Sequence, residues 1–323
     1  MKILVTGAEG FIGSHLTELL VEKGYSVKAF VRYNFTNNWG WLETSKYLKD
    51  IEIYTGDVRD YDSVYDAVKD VDVVFHLAAL IGIPYSYVSP LAYIKTNTEG
   101  TYNILEAGRK LGVDRIIVTS TSEIYGTAQY VPIDEKHPYN PQSPYAASKA
   151  SADHLALSYY RSFGTPVTII RPFNTYGPRQ SARAIIPTII TQVLSGKTQI
   201  RLGNLTPTRD LNYVKDTANG FITVGLHEKT IGDVYNIGSG REISIGELAQ
   251  KIIDLLGRHV EIVQDEQRVR PEKSEVERLL CNADKAKALT GWKPQYTLED
   301  GLKETIEWME NNMQYYKPDI YNV

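Results

Sequence analysis

The chain has 323 residues, 42% hydrophobic and 23% charged, which is enough apolar side chain for a substantial core and too much length for one small domain. Its 35 Lys and Arg against 39 Asp and Glu leave a net charge of −4, which offers no electrostatic footprint for nucleic acid or an anionic membrane. A single cysteine, Cys281, excludes intrachain disulfides and cysteine-based zinc sites, and the six histidines lack metal-ligand spacing, so no metal is expected. No apolar run approaches the roughly 18 residues of a membrane span, and no signal peptide is read, so a cytoplasmic protein is expected. The chain carries 23 Tyr against 7 Phe, an excess of phenols suited to polar pockets and interfaces but without an address.

In chain order, short β-rich runs alternate with helical patterns. Strands are predicted at Lys2–Thr6, Val27–Val31, Ile51–Tyr54, Val71–Leu77, Arg115–Thr119 and Val167–Arg171, with helices at about 11–23, 62–69, 91–111 and 144–163. The strands are near-continuous apolar runs, as expected where helices cover both faces. This serial βαβ pattern predicts an α/β fold, a doubly wound parallel sheet of the Rossmann type. Downstream, helices are expected near 184–195, 214–228, 244–256 and 298–311, with extended pieces near Ile200, Tyr235 and Val260, as a smaller α/β unit. The expected division is 1–171 plus 211–238 for a dinucleotide and 172–210 plus 239–315 for a substrate. The Tyr- and Asn-rich end after Asn311 reads as a loosely held tail.

The first βα junction carries Gly7-x-x-Gly10-x-x-Gly13, with Phe11 and Ile12 opening the helix. Gly7 permits the tight turn, Gly10 lets the backbone approach a pyrophosphate, and Gly13 lets the helix pack close, with the helix N-terminus facing the phosphates. A plain strand-to-helix turn could show the same spacing, but its place in a serial βαβ pattern points to a dinucleotide. The second strand ends in Arg32, where an NAD-preferring fold usually has a carboxylate for the ribose 2′-OH. Arg32 is either a solvated surface cation or a partner for a 2′-phosphate, and the second reading favours NADP over NAD.

Ser143-Pro144-Tyr145-x-x-x-Lys149 reads as a capped helix start with a phenol and an ammonium on one face. An ammonium beside a phenol favours the phenolate, so the pair can supply a base near neutral pH. Tyr65 and Lys69 share the spacing but precede the fourth strand and read as a solvated helix face. Tyr145 instead follows the strand whose carboxyl end carries Ser120-Thr121-Ser122-Glu123-Ile124-Tyr125-Gly126, where such sheets bind ligands.

Together with Asp57-Val58, His76-Leu77-Ala78-Ala79, Asn97 and Arg171-Pro172-x-Asn174-x-Tyr176-Gly177-Pro178, these motifs resemble the extended short-chain dehydrogenase/reductases that act on nucleotide sugars, over essentially the whole chain. The resemblance implies a cofactor site of Gly7, Gly10, Phe11, Ile12, Gly13, Arg32, Asp57, Val58, Leu77, Ala78, Ala79, Asn97, Tyr145, Lys149 and Pro172. It implies a catalytic set of Thr121, Ser122, Glu123, Tyr145 and Lys149, and substrate contacts from Asn174, Arg183, Arg209 and Arg270. It also implies a homodimer through the helices at about 91–111 and 144–163.

Glu123 is where the family branches. In its 4-epimerases a small or apolar residue usually stands there, and in its 4,6-dehydratases a Glu that removes the C5 proton once C4 is a ketone; uronate decarboxylases can also carry Glu. Ser122 departs from the dTDP-glucose dehydratases, which have Asp there, and matches the Thr-Ser-Glu triplet of the GDP-mannose dehydratases. Leu202-Gly203-Asn204-Leu205 resembles the latter too. The stretches 33–42, 82–87 and 179–184 resemble the LegB-type GDP-N-acetylglucosamine 4,6-dehydratases of legionaminic acid biosynthesis, which would put Tyr85 and Tyr87 beside the sugar, with Tyr176 as a further wall. A UDP-N-acetylglucosamine substrate stays open, as does a 4-epimerase or uronate decarboxylase activity; a non-catalytic cofactor sensor would be expected to break the Tyr/Lys pair, which is present.

Overall fold

In the computed structural model, which describes residues 1–320, the first strand and helix stand where the glycine spacing puts them: β1 (Lys2–Thr6) and α1 (Phe11–Glu22). There follow β2 (Ser26–Arg32), β3 (Ile51–Gly56), α2 (Tyr61–Val68) and β4 (Val73–His76). Next come α3 (Ile83–Val88), α4 (Pro90–Tyr93), α5 (Gly100–Leu111), β5 (Arg115–Thr119), α6 (Pro144–Phe163) and β6 (Val167–Pro172). With β10 (below), these strands form a seven-stranded parallel sheet in the order β3-β2-β1-β4-β5-β6-β10, doubly wound as predicted, with its switch point between β1 and β4.

Alternation across the pleat explains the continuous apolar runs. Ile3, Val5, Phe75, Ile117 and Ile170 face Leu16, Leu20, Phe221 and Val224 on one side of the sheet, while Leu4, Val74, Ile116, Val118 and Ile169 face Val64, Ile104, Leu105 and Ala156 on the other. Removing one such side chain, as in Phe75→Ala, costs about 3–5 kcal/mol.

The expected single helix over 91–111 is three pieces, with a π-helical stretch at Ile94–Glu99 between α4 and α5. No Gly or Pro marks it within 94–99; within it Asn97 turns inward to pair with Leu80 N and O. Helix α3 was not expected; Pro84 at its start and six residues of length gave no periodic signal. Helix α6 begins as read, with Ser143 Oγ accepting the Ala146 N–H at 3.1 Å, and it stops at Gly164 in the left-handed region.

The remaining elements are β7 (Asn174–Tyr176), α7 (Ile185–Leu194), β8 (Gln199–Leu202), β9 (Thr208–Tyr213), α8 (Val214–Gly225), β10 (Val234–Ile237), β11 (Glu242–Ser244), α9 (Ile245–Leu255), β12 (Glu261–Gln264), α10 (Asp284–Thr290) and α11 (Leu298–Glu310). Strands β7, β9 and β11 form one small sheet and β8 with β12 another, packed on α7, α9 and α11 around Ile189, Ile190, Leu248, Ile252 and Leu302. The tail is not loose up to residue 320. Tyr316 is buried, with its hydroxyl donating to Gln180 O at 2.9 Å, and Lys197 Nζ donates to Pro318 O. One aromatic anchor thus outweighs the polar composition around it; residues 321–323 lie outside the described residues. Among the described residues, no helix is long and apolar enough to cross a membrane.

Candidate active site

The crevice opens at the β1/β4 switch point. Gly7 has φ +69°, and a Cβ there would fall 2.9 Å from Ala78 Cα; one on Gly13 would fall 2.1 Å from Gly7 O. Thr6 Oγ1 accepts the N–H groups of Leu77 and Ala78 at 3.1 Å each and pairs with His76 Nδ1 at 2.8 Å, binding the two strand ends together. The N-cap of α1 is Gly10, which has no side chain to spend on the first turn, so the N–H groups of Phe11, Ile12 and Gly13 at that end suit an anion. This cradle, closed to any Cβ yet open to a phosphate, fits a dinucleotide. Asn97 has both ends engaged, with Leu80 N, Leu80 O and Ser148 Oγ at 2.8–2.9 Å, so it holds the loop of Ala78 and Ala79 in place.

At the carboxyl end of β2, the Arg32 N–H donates to Glu9 Oε1 at 3.1 Å, while Glu9 Oε2 is buried with no hydrogen-bond partner. Burial raises the Glu9 carboxyl above its ordinary range. Asp57 is gripped by the guanidinium of Arg59, whose Nε lies 2.9 Å from Oδ1, and that bond holds its carboxyl below the ordinary range. Val58 is buried beneath α5, its carbonyl accepting from Asn103 Nδ2 at 2.9 Å. Glu9 and Arg59 were not singled out in the sequence: one hides between the motif glycines and the other is one charge among many.

Tyr145 and Lys149 are both buried on α6, under the 3-10 turn Ser122–Tyr125 that follows β5. Thr121 caps that turn, its Oγ1 accepting the Glu123 N–H at 3.2 Å, and its hydroxyl works against burial in setting the Tyr145 phenol. Ser122 and Glu123 are buried in the turn. Lys149 Nζ donates to Thr119 O, and burial lowers its pKa to about 8, opposed by Asp153. The phenol is pushed up by burial and by Glu123, with Thr121 pulling the other way. Tyr93, fully buried on α4, packs edge-on to Tyr145 at 6.2 Å, and Tyr85 packs on Tyr93 at the same separation.

Arg209, on β9, and Arg270 converge on Glu275 Oε1, at 3.3 and 3.5 Å. Glu123 also attracts Arg209, which places the base candidate and the arginine pair in one space. The segment carrying Arg270 and Glu275 is clasped by Gln142, whose Nε2 donates to Lys273 O and Glu275 O at 3.0 and 2.9 Å, one residue before the cap of α6. Tyr87 reaches Ser274 Oγ at 2.6 Å, and Arg183 Nη1 lies where a Cβ on Gly82 would be 2.8 Å away, so both border the same mouth. Asn174 starts β7 with a buried, unpartnered Oδ1, and Pro172 ends β6. Tyr176 does not join this wall. Its hydroxyl donates to Leu298 O at 3.0 Å, and its ring packs on Tyr213 within the core of the small sheets. Glu275, Gln142 and Tyr93 are further residues that composition and spacing left unmarked.

Against known proteins, the GDP-mannose 4,6 dehydratase family model matches residues 4–305. The chain belongs to that family. Within it, the Escherichia coli dTDP-glucose 4,6-dehydratase is 34% identical over 346 residues, covering 98% of this chain and 94% of the relative. The Streptomyces venezuelae dTDP-glucose 4,6-dehydratase, solved with NAD, superposes with a TM-score of 0.89 at 31% identity, covering 98% and 99% of the two chains. The Thermotoga maritima UDP-glucose 4-epimerase, solved with UDP-glucose, gives 0.87 at 30%, covering 97% and 100%. The family therefore carries dehydratase and epimerase relatives at similar distance, and the chain is an enzyme of nucleotide-sugar 4,6-dehydratase/4-epimerase type.

Proposed function

We propose that this enzyme is a nucleotide-sugar 4,6-dehydratase that converts GDP-N-acetylglucosamine to the GDP-4-keto-6-deoxy sugar, a homodimer that regenerates NADP or NAD each cycle. The observation that carries the reading is Glu123, buried at the strand end beside Tyr145 and within the field of Arg209. An epimerase needs no carboxylate there, whereas a dehydratase needs a second base beyond the phenol. Residues 1–171 with 211–238 would hold the dinucleotide, and 172–210 with 239–315 the nucleotide sugar.

The dinucleotide would lie along the Gly7–Gly13 turn, Ala78 and Ala79, with Tyr145 and Lys149 at its nicotinamide end. When bound, its nicotinamide supplies hydride acceptance at C4 and hydride return at C6. Tyr145 removes the C4 hydroxyl proton, with Thr121 holding the phenol and Lys149 supplying a positive field. The resulting ketone acidifies C5; Glu123 takes that proton and hands it to the departing C6 hydroxyl, so water leaves. C5 then takes a proton from solvent, balanced by release of the proton that Tyr145 took from the C4 hydroxyl, and the sum is loss of one water without net redox. Arg209 and Arg270 would grip the diphosphate with their planar forks of donors.

Arg32 at the end of β2 supports NADP, while the bare Glu9 oxygen supports NAD, since a 2′-phosphate would meet a like charge; Arg59 is already paired with Asp57. The second functional reading, a 4-epimerase, is favoured by the Thermotoga relative. Mass spectrometry of the product from GDP- and UDP-N-acetylglucosamine offered side by side tests both: loss of one water is expected with the GDP sugar, and an unchanged product mass would overturn the dehydratase reading.

A further inference from the structure

Asp153 stands one helical turn beyond Lys149, so Tyr145, Lys149 and Asp153 form an i, i+4, i+8 column on the buried face of α6. Asp153 and Arg171, on β6, are buried to 0% and 1% exposure. One carboxylate oxygen of Asp153 does all the bonding: Oδ2 accepts from Arg171 Nε at 3.1 Å and from Ser120 Oγ at 2.8 Å, and it lies 3.0 Å from Arg171 Nη2. Arg171 is fixed in turn. Its Nη1 donates to the Tyr125 hydroxyl at 2.7 Å, its Nη2 to that of Tyr139, and both rings flank the guanidinium at 5.1 and 4.8 Å. The Tyr125 hydroxyl donates to Asn236 Oδ1 at 2.8 Å, so the chain of bonds reaches β10.

The other oxygen, Oδ1, is buried and accepts no hydrogen bond. A bare carboxylate oxygen in a dry interior is costly unless a charge answers it. Lys149 is the cation that the column sets one turn away, and Asp153 is the group that works against the desolvation of its ammonium.

We infer that Asp153, immobilised by Arg171 and Ser120, is a positioning residue that keeps the Lys149 ammonium charged and aimed across the nicotinamide end of the crevice. The inference rests on the reading of Tyr145 and Lys149 as the proton-handling pair. Other groups facing Lys149 do not substitute for it. His76 of β4 is held neutral, at about 3, by burial and by Lys149 itself, and the Thr119 carbonyl of β5 accepts a bond without bringing a charge. Around Tyr145 stand Thr121, Glu123 and Tyr93, and Arg171 faces Asp153.

The experiment compares pH profiles of cofactor binding, by titration calorimetry with NAD and NADP, and of C4 oxidation. It uses the wild type, Asp153→Asn, Asp153→Glu and the charge-balanced double variant Asp153→Asn/Arg171→Gln. The expected result is that the alkaline limb of both profiles moves toward lower pH by about one unit in the two Asn variants, and stays in place when Glu preserves the charge. The double variant answers the case in which Asp153→Asn unfolds because Arg171 is left unpaired. A folded double variant whose limbs coincide with the wild type would show that the pair is only an internal strut, and would overturn the inference. If no nucleotide sugar is turned over by the wild type, the proposed function fails, while the binding profiles still report on Lys149.

Discussion

Glu275 Oε1 lies 3.3 Å from Arg209 Nη2, and both side chains are only about a tenth exposed. Because Arg270 meets the same oxygen, one carboxylate holds two cations that otherwise repel each other at the mouth of the crevice. A diphosphate can take over that role. Arg209→Met should weaken GDP binding by about 10- to 100-fold, the loss of one or two charge-assisted hydrogen bonds. Arg270→Met should cost less, since its side chain is 30% exposed. Calorimetry with GDP checks the order; equal, negligible losses would place the diphosphate elsewhere.

Glu123→Gln keeps the volume and removes the carboxylate proposed as the C5 base. Oxidation at C4 should survive, seen as transient reduced cofactor absorbance, while C5 exchange with deuterated solvent should fall by about 10²- to 10⁴-fold. Exchange at the wild-type rate would exclude Glu123 as the C5 base.

Why some of this was legible in the sequence and some was not follows from what each residue depends on. Gly13 is demanded by local backbone approach, since a Cβ there would meet Gly7 O, and Gly7 by its left-handed turn, so spacing announces both even though the backbone that Gly7 must also clear, at Leu77 and Ala78, lies far along the chain. Ser143 and Pro144 likewise define the α6 start through contacts one turn long. Glu275 and Gln142 act through bonds spanning 66 and 133 residues, which no window of sequence contains. Tyr176 was drawn to the crevice by its motif neighbours, yet its hydroxyl bonds Leu298 O, 122 residues on, and its ring packs on Tyr213 in the core, partners that no local motif contains.

The pH dependence has opposite signs for activity and stability above neutrality. Lys149, at about 8 in the fold against 10.5 when free, is protonated in the unfolded chain but not in the fold between those values. The unfolded state thus binds more protons there, so this group makes stability rise with pH across that window, while catalysis loses its ammonium above about 8. On the acid side, His76 at about 3 and His15 at about 4 are kept neutral in the fold by burial, against 6.5 when free. Their contribution to stability is present above 6.5 and is lost as pH falls toward 4 and 3. Thermal melts from pH 4 to 10 set beside kcat/KM profiles check both signs; His76→Asn should flatten the acid arm.

The proposed dimer, if it forms through α5 and α6, should depend on the rings these helices leave in solvent: Tyr102, Tyr160 and Phe163 are 44, 38 and 59% exposed. Tyr102→Asp with Phe163→Asp should give a monomer by light scattering with its cofactor affinity retained, since neither residue lines the crevice. A persistent dimer would move the interface to another face.

Cofactor choice turns on which charge reaches the ribose 2′ position. Arg32 offers its guanidinium, Arg59 is spent on Asp57, and Glu9 presents a carboxylate oxygen that nothing in the fold satisfies. If the cation prevails, Arg32→Asp should reduce NADP affinity by about 10-fold or more through like-charge repulsion and leave NAD nearly unchanged or improved. Glu9→Gln should act the other way, relaxing the repulsion of a 2′-phosphate without disturbing the N–H bond from Arg32, because the amide oxygen can still accept it. Dissociation constants for both cofactors on both variants, after stripping the bound one, decide the matter: a wild type that prefers NAD and is insensitive to Arg32→Asp would assign the ribose end to Glu9.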